Sequence, residues 1–281
     1  NGSYFRRVVS MMKTARAGHT ASVLGNGHVL LAGGDAEGTA ELFDPTPELF
    51  VGGLLMMEQS RRGHTATTLG QDSIFLTGGG GRTAEYYRIR DQRFGLWPHT
   101  LAGERSGHTA FVSEEGRLVL LGGDEGGSVE ELSATDGLFR RKLTLGQTVS
   151  TATVLANGQV LVVGGEGAGL YRPWDGGFER LSEGSLLQRR GNTSTELAGE
   201  GKVLVVGGLD QREELVVRGV LFNPASFKTD REEYQSGSLV KIEGKGYLNG
   251  EEVELEVARQ DGKNYEGRNH WQTVADVNGV F

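Results

Sequence analysis

The chain has 281 residues, with 29 Lys and Arg against 37 Asp and Glu, a formal charge of −8, and no cysteine. That charge balance argues against a nucleic-acid or anionic-membrane partner, since both favour a basic face. The missing thiols exclude disulfides, thiolate metal sites and cysteine nucleophiles. Glycine is in excess, 46 residues to 5 prolines, and no collagen period accounts for it. No apolar run approaches the ~20 residues needed to span a bilayer, so no membrane insertion is expected. The chain begins at Asn1 and is expected to be a piece of a longer product.

In chain order, residues 3–10 come first. Phe5 and Met11-Met12 precede Arg16 as Phe50 and Met56-Met57 precede Arg61, so 3–10 is expected to be an outer strand. Residues 19–24 alternate small and apolar side chains at a period of two, an inner strand. Asn26-Gly27 then predicts a two-residue type I′ hairpin turn, with positive φ at both positions. Val29-Leu30-Leu31 is a continuously apolar second strand, as expected where both faces are covered. Gly33-Gly34 marks a sharp bend, Ala40-Glu41-Leu42-Phe43-Asp44-Pro45 a third strand, and Phe50 the start of a fourth.

This unit recurs. Gly18-His19-Thr20 returns as Gly63-His64-Thr65 and Gly107-His108-Thr109, and in weaker form as Gly191-Asn192-Thr193. The fourth copy has Val149-Ser150-Thr151 there. The bend returns as Gly78-Gly79, Gly122-Gly123, Gly164-Gly165 and Gly207-Gly208. The second members, Gly34, Gly79, Gly123, Gly165 and Gly208, are 45, 44, 42 and 43 residues apart. These pairs are read as structural, placed where the chain turns with no room for a Cβ. Arg16, Arg61, Arg105 and Arg189 stand two residues before the motif glycine, with Gln147 in the fourth copy. Phe5, Phe50, Phe94 and Phe178 stand eleven residues before those arginines, while Phe139 falls out of this spacing.

The sequence of Gly-His-Thr, an apolar strand, Gly-Gly and then Ala-Glu-Leu-Phe-Asp-Pro resembles the bacterial kelch repeat, shared by kelch and galactose-oxidase-like propellers. The resemblance covers residues 1–227 and implies an all-β fold, a kelch-type β-propeller. Five blades are favoured, closed by the N-terminal strand, with six or seven if blades are missing. Residues 228–281 lose the Gly-Gly phase. The alternation over 234–247 and 252–257, and a turn into a strand over 276–281, resemble part of a bacterial Ig-like β-sandwich module.

The resemblance to galactose oxidase implies a copper site with a tyrosine cross-linked to cysteine, which a chain without cysteine cannot form; no cofactor and no metal site are expected. A metal held by His19, His64 and His108 is the sharper alternative to histidines that bond the backbone at strand ends. Arg16, Arg61, Arg105 and Arg189 lie in loops that line the ligand pocket in several kelch propellers. They are read either as a rim clamping a carboxylate or sulfate, or as structural partners of Glu41, Glu85 and Glu131. No catalytic set stands out. The expected function is a secreted or cell-surface binding or structural module, facing protein or glycan. The alternatives are a subunit of an extracellular polymer, self-assembling through residues 228–281, and a carbohydrate-active enzyme with its site in the funnel.

Overall fold

The computed structural model describes residues 7–70, 72–182, 184–197, 201–224, 226–229, 242–245, 252–256 and 270–274. The backbone divides into two compact units, Asn1–Thr195 with Val205–Val220, and Glu196–Leu204 with Leu221–Phe281.

Each of the first four repeats forms one antiparallel sheet whose strands follow one another in chain order. The first contains β1 (Thr20–Val23), β2 (Val29–Ala32), β3 (Thr39–Asp44) and β4 (Leu49–Met56). The second contains β5 (Thr65–Leu69), β6 (Ser73–Thr77), β7 (Ala84–Arg88) and β8 (Arg93–Leu96). The third contains β9 (Thr109–Val112), β10 (Leu118–Leu121), β11 (Ser128–Leu132) and β12 (Phe139–Thr144). The fourth contains β13 (Val149–Val154), β14 (Val160–Gly164), β15 (Gly167–Arg172) and β16 (Gly177–Arg180). The fifth repeat has β17 (Thr193–Glu196), β18 (Val203–Val206) and β19 (Val220–Phe222). Two further pairs join β20 (Ser226–Thr229) to β21 (Ile242–Lys245), and β22 (Glu252–Glu256) to β23 (His270–Val274).

The apolar second strands pack sheet on sheet, with alternate residues serving alternate neighbours. Leu30 and Ala32 share a cluster with Ile74 and Leu76. Phe75 packs with Leu118 and Leu120, and Val119 and Leu121 with Val160 and Val162. Strand β18 differs: Val203 and Val205 are buried, whereas Leu204 and Val206 are exposed, so only one of its faces is covered.

Local geometry corrects three sequence readings. The loop at Asn26-Gly27 has three residues, closed by Gly27 N to Leu24 O and Leu24 N to His28 O, with only Gly27 left-handed. It is therefore the type I turn with a left-handed glycine rather than type I′. Phe139 is in step after all: Phe50, Phe94, Phe139 and Phe178 pair with Phe43, Tyr87, Leu132 and Tyr171. The irregularity lies in the connection after it. Of the outer strand expected over 3–10, residues 3–6 lie outside the described residues and 7–10 are irregular, with Ser10 Oγ accepting Phe50 N at 2.9 Å.

The Gly-Gly pairs Gly33-Gly34, Gly78-Gly79, Gly122-Gly123 and Gly207-Gly208 are left-handed at both residues. Gly164 and Gly165 are not, because β14 runs into a tight connection there. A Cβ on Gly164 would lie 1.9 Å from Thr148 O. Gly79 shows why the bend excludes side chains: at φ 69° a Cβ would sit 2.6 Å from His64 N and 2.7 Å from Arg62 O. Its own N–H crosses to the next repeat, donating to Arg105 O at 2.9 Å. Gly79→Val is expected to lower stability by about 2 kcal/mol or more, through backbone strain and a clash with immovable atoms. Chemical denaturation will show this as a lower midpoint, and a variant as stable as the parent would remove the structural role given to the bend.

Candidate functional site

In the first three repeats, one arginine closes the bend onto the third strand. Arg16 Nη1 donates to Gly33 O and Thr39 O, both at 2.8 Å, and to Asp35 Oδ2 at 3.0 Å. Its Nη2 reaches Thr39 Oγ1 at 3.2 Å and Glu41 Oε1 at 2.8 Å. Arg61 repeats the pattern with Gly78 O, Thr83 O, Thr83 Oγ1 and, through Nε at 2.8 Å, Glu85 Oε1. Arg105 does so with Gly122 O, Ser128 O, Ser128 Oγ and Glu130.

Each glutamate also accepts two backbone N–H groups from the preceding loop: Lys13 and Thr14 on Glu41, Glu58 and Gln59 on Glu85, Ala102 and Gly103 on Glu130. Burial alone would raise the pKa of Glu41, but the bonds from Arg16, Lys13 N and Thr14 N outweigh it and hold it below its usual value. The side chains of all three pairs are at most 3% exposed. These arginines are thus committed to carbonyls and carboxylates of their own repeat.

The acid of the third repeat is Glu130, not Glu131. Glu130 stands opposite Leu120 as Glu41 stands opposite Leu31 and Glu85 opposite Leu76. Its neighbour Glu131 points to the other face and meets Arg117 at 3.0 Å and Lys142 at 3.2 Å. A slip of one residue in a strand exchanges the faces.

The fourth repeat drops both charges together. Gln147 replaces the arginine and accepts Arg180 Nη1 at 3.1 Å, while Gly169 stands opposite Val162 where the acid would be. The fifth repeat keeps the cation alone. Arg189, 4% exposed, donates from Nη1 to Gly207 O and Arg218 O, both at 3.3 Å, and from Nη2 to Leu186 O at 3.0 Å.

The carbonyl pair Gly207 and Arg218 answers to Gly33 and Thr39 in the first repeat, so Arg218 occupies the hydroxyl position. Two residues further on, Val220 stands where Glu41, Glu85 and Glu130 stand. Among the described residues, no acid bonds Arg189. Burial pushes its guanidinium below the ordinary arginine pKa. Beside it opens a cavity of about 570 Å³, lined by Arg189, Arg218, Val220, Gln188 and residues of the long loop 210–217. Sequence reasoning named Arg189 but missed Arg218 and Val220. The available signal was the arginine-to-acid spacing, 41 − 16 = 25, 85 − 61 = 24 and 130 − 105 = 25, which from Arg189 leads into that loop.

The histidines fasten neighbouring repeats. His64 Nε2 and Thr20 Oγ1 share a hydrogen bond at 2.9 Å, and His108 Nε2 lies 2.8 Å from Thr65 Oγ1 and 3.0 Å from Thr77 Oγ1. Asn192 plays the same part, its Nδ2 donating to Thr151 Oγ1 at 3.1 Å. Ser150 stands in the same position, but its buried Oγ has no partner among the described residues. Between the fifth repeat and the first, no bond joins Thr193 to His19, and both are exposed. Burial is the largest cause lowering the pKa of His64 to about 4 and of His108 to about 3. The cations Arg61 and Arg105 add to it.

No protein-family model matches the chain, and no curated protein matches it. A solved structure does: a fungal alcohol oxidase of the AA5 family in complex with copper, at 13% identity and a TM-score of 0.59. The match covers 95% of this chain and 70% of that one. The residues present here do not fit such a metal. The chain has no cysteine, His64 and His108 hold threonine hydroxyls, and among the described residues no three His, Asp or Glu side chains converge on one point. What the two proteins share is the fold, so this chain is an all-β protein of the β-propeller class found in galactose-oxidase-like proteins.

Proposed function

We propose that this protein is a binding module, acting outside the cell or at its surface, and that it engages its partner through the loops of the fifth repeat. The supporting observation is the contrast among repeats. Three close their loop-facing arginine with an internal glutamate, and the fifth leaves a buried arginine beside an open cavity. Residues unique to one repeat, rather than those shared by all, are where a repeat protein places recognition. Of the acids at the cavity, Asp210 accepts the Arg212 and Glu214 N–H groups on Oδ1 and so holds the loop. The extracellular placement, and the reading of 228–281 as an Ig-like accessory beside a propeller over 1–227, rest on the resemblance of the repeat and the tail to secreted bacterial proteins.

The test is a mixed glycan and peptide array, probed with the protein and with a variant in which the long fifth-repeat loop is replaced by the short first-repeat loop Asp35-Ala36-Glu37-Gly38. The parent should retain ligands that the folded loop variant does not. Identical profiles, or peroxide released from primary alcohols after copper loading, would overturn the reading.

A further inference from the structure

We propose that the fifth-repeat cavity binds a carboxylate carried by a protein segment, which takes the place that Glu41, Glu85 and Glu130 occupy in the first three repeats. The inference rests on the binding reading above and names its ligand.

Three observations converge on it. The arginine is retained in its repeat position, buried, and among the described residues bonded only to neutral backbone carbonyls. A desolvated guanidinium without an anion is costly, and a bidentate carboxylate is its best partner. The acid's own place is held by Val220, which is half-buried, and the hydroxyl's by Arg218, which is exposed. Arg189 and Arg218 therefore stand where an arginine–glutamate pair and its hydroxyl partner stand elsewhere, and a third cation, Arg212, also lines the cavity. Asp210 and Glu214 also line the cavity, but neither bonds Arg189, and the Asp210 carboxylate is taken up by the loop backbone.

The rim favours a polypeptide over a sugar acid. Leu186, Leu215 and Val217 border the cavity at 62%, 80% and 94% exposure beside Ser185, Gln188 and Gln211, and among the described residues no aromatic ring lines it. A uronic acid could use the polar lining but would leave these three exposed aliphatic side chains without an apolar partner. An acidic residue flanked by aliphatic ones would bury them, with the charge at the centre and the apolar contacts around it.

The test titrates the 281-residue protein with three probes at low salt: the peptide acetyl-Leu-Glu-Leu-amide, its Gln counterpart and free glucuronate. The Glu peptide should bind at least tenfold more tightly than either of the others. Arg218→Gln, at an exposed position, should weaken that binding without altering the melt. Val220→Glu supplies the acid from within and should abolish binding. It should also lower Tm less with Arg189 present than in an Arg189→Gln background. Equal binding of the Glu and Gln peptides, glucuronate matching the Glu peptide, or a Val220→Glu effect indifferent to Arg189 would each overturn the proposal. If neither peptide binds while the array shows loop-dependent capture of an uncharged ligand, this inference falls and the binding reading stands. If the loop swap also changes nothing, both fall.

Discussion

Glu85→Ala is expected to destabilise the protein by about 3–5 kcal/mol, the range for breaking a buried ion pair by removing one member. Glu85 and the Arg61 side chain are both fully buried, 2.8 Å apart. Removing the carboxylate strands a desolvated guanidinium and leaves Glu58 N and Gln59 N without their acceptor. The double variant Arg61→Gln with Glu85→Gln imitates the neutral solution of the fourth repeat and should cost less than the sum of its parts. A double-mutant cycle by urea denaturation should show coupling of about 1–3 kcal/mol. Additive losses would mean that the pair does not act as a unit.

Acid should unfold the protein over a window set by two histidines. His64 and His108 titrate near 4 and 3 when folded, against 6.5 as free side chains. Between those values the unfolded chain binds more protons, so stability is complete above about pH 6.5 and falls as pH drops through the window. The integrated loss is roughly 3 kcal/mol per histidine by pH 4. The physical cause is plain in the geometry. Each ring already uses Nε2 on a threonine, and each Nδ1 is buried without a partner among the described residues, so an imidazolium would carry an unsatisfied N–H. Glu41, Asp35 and Asp124, all held below their ordinary values, extend the loss to lower pH in the same direction. Replacing both histidines by asparagine, the residue the fifth repeat uses at Asn192, should flatten the profile between pH 6.5 and 4. A Tm that falls equally in parent and variant across that range would refute the assignment.

The repeat was legible in the sequence because its landmarks are backbone requirements. Glycine pairs, left-handed in four of the five repeats, and continuous apolar strands have few substitutes, so the pattern recurs in every copy. The partner of Arg105 was harder to read, since adjacent Glu130 and Glu131 look alike until register decides which faces the arginine. The turn at Asn26-Gly27 was misjudged because Asn-Gly suits both the two-residue and the three-residue hairpin, and strand length settles the choice. The empty acid position at Val220 was hidden for another reason. The long fifth-repeat loop shifts the spacing, and only the carbonyls that Arg189 grips reveal which residue stands where.

The fastening between repeats has a broken link, and its position matters for how the array comes apart. Junctions held by His64 and His108 lie on one side of Ser150, and the junction held by Asn192 lies on the other. Ser150 makes no such bond, so the third and fourth sheets are joined by the apolar contacts of Val119 and Leu121 with Val160 and Val162, and by Arg117 Nη2 donating to Pro173 O at 3.1 Å. Where cohesion is summed over neighbouring repeats, such a place is a seam. Protons loosen the histidine side and leave the asparagine side untouched, while cold and chaotropes weaken the seam itself. Acid should therefore loosen the junctions before Ser150 ahead of the asparagine junction after it.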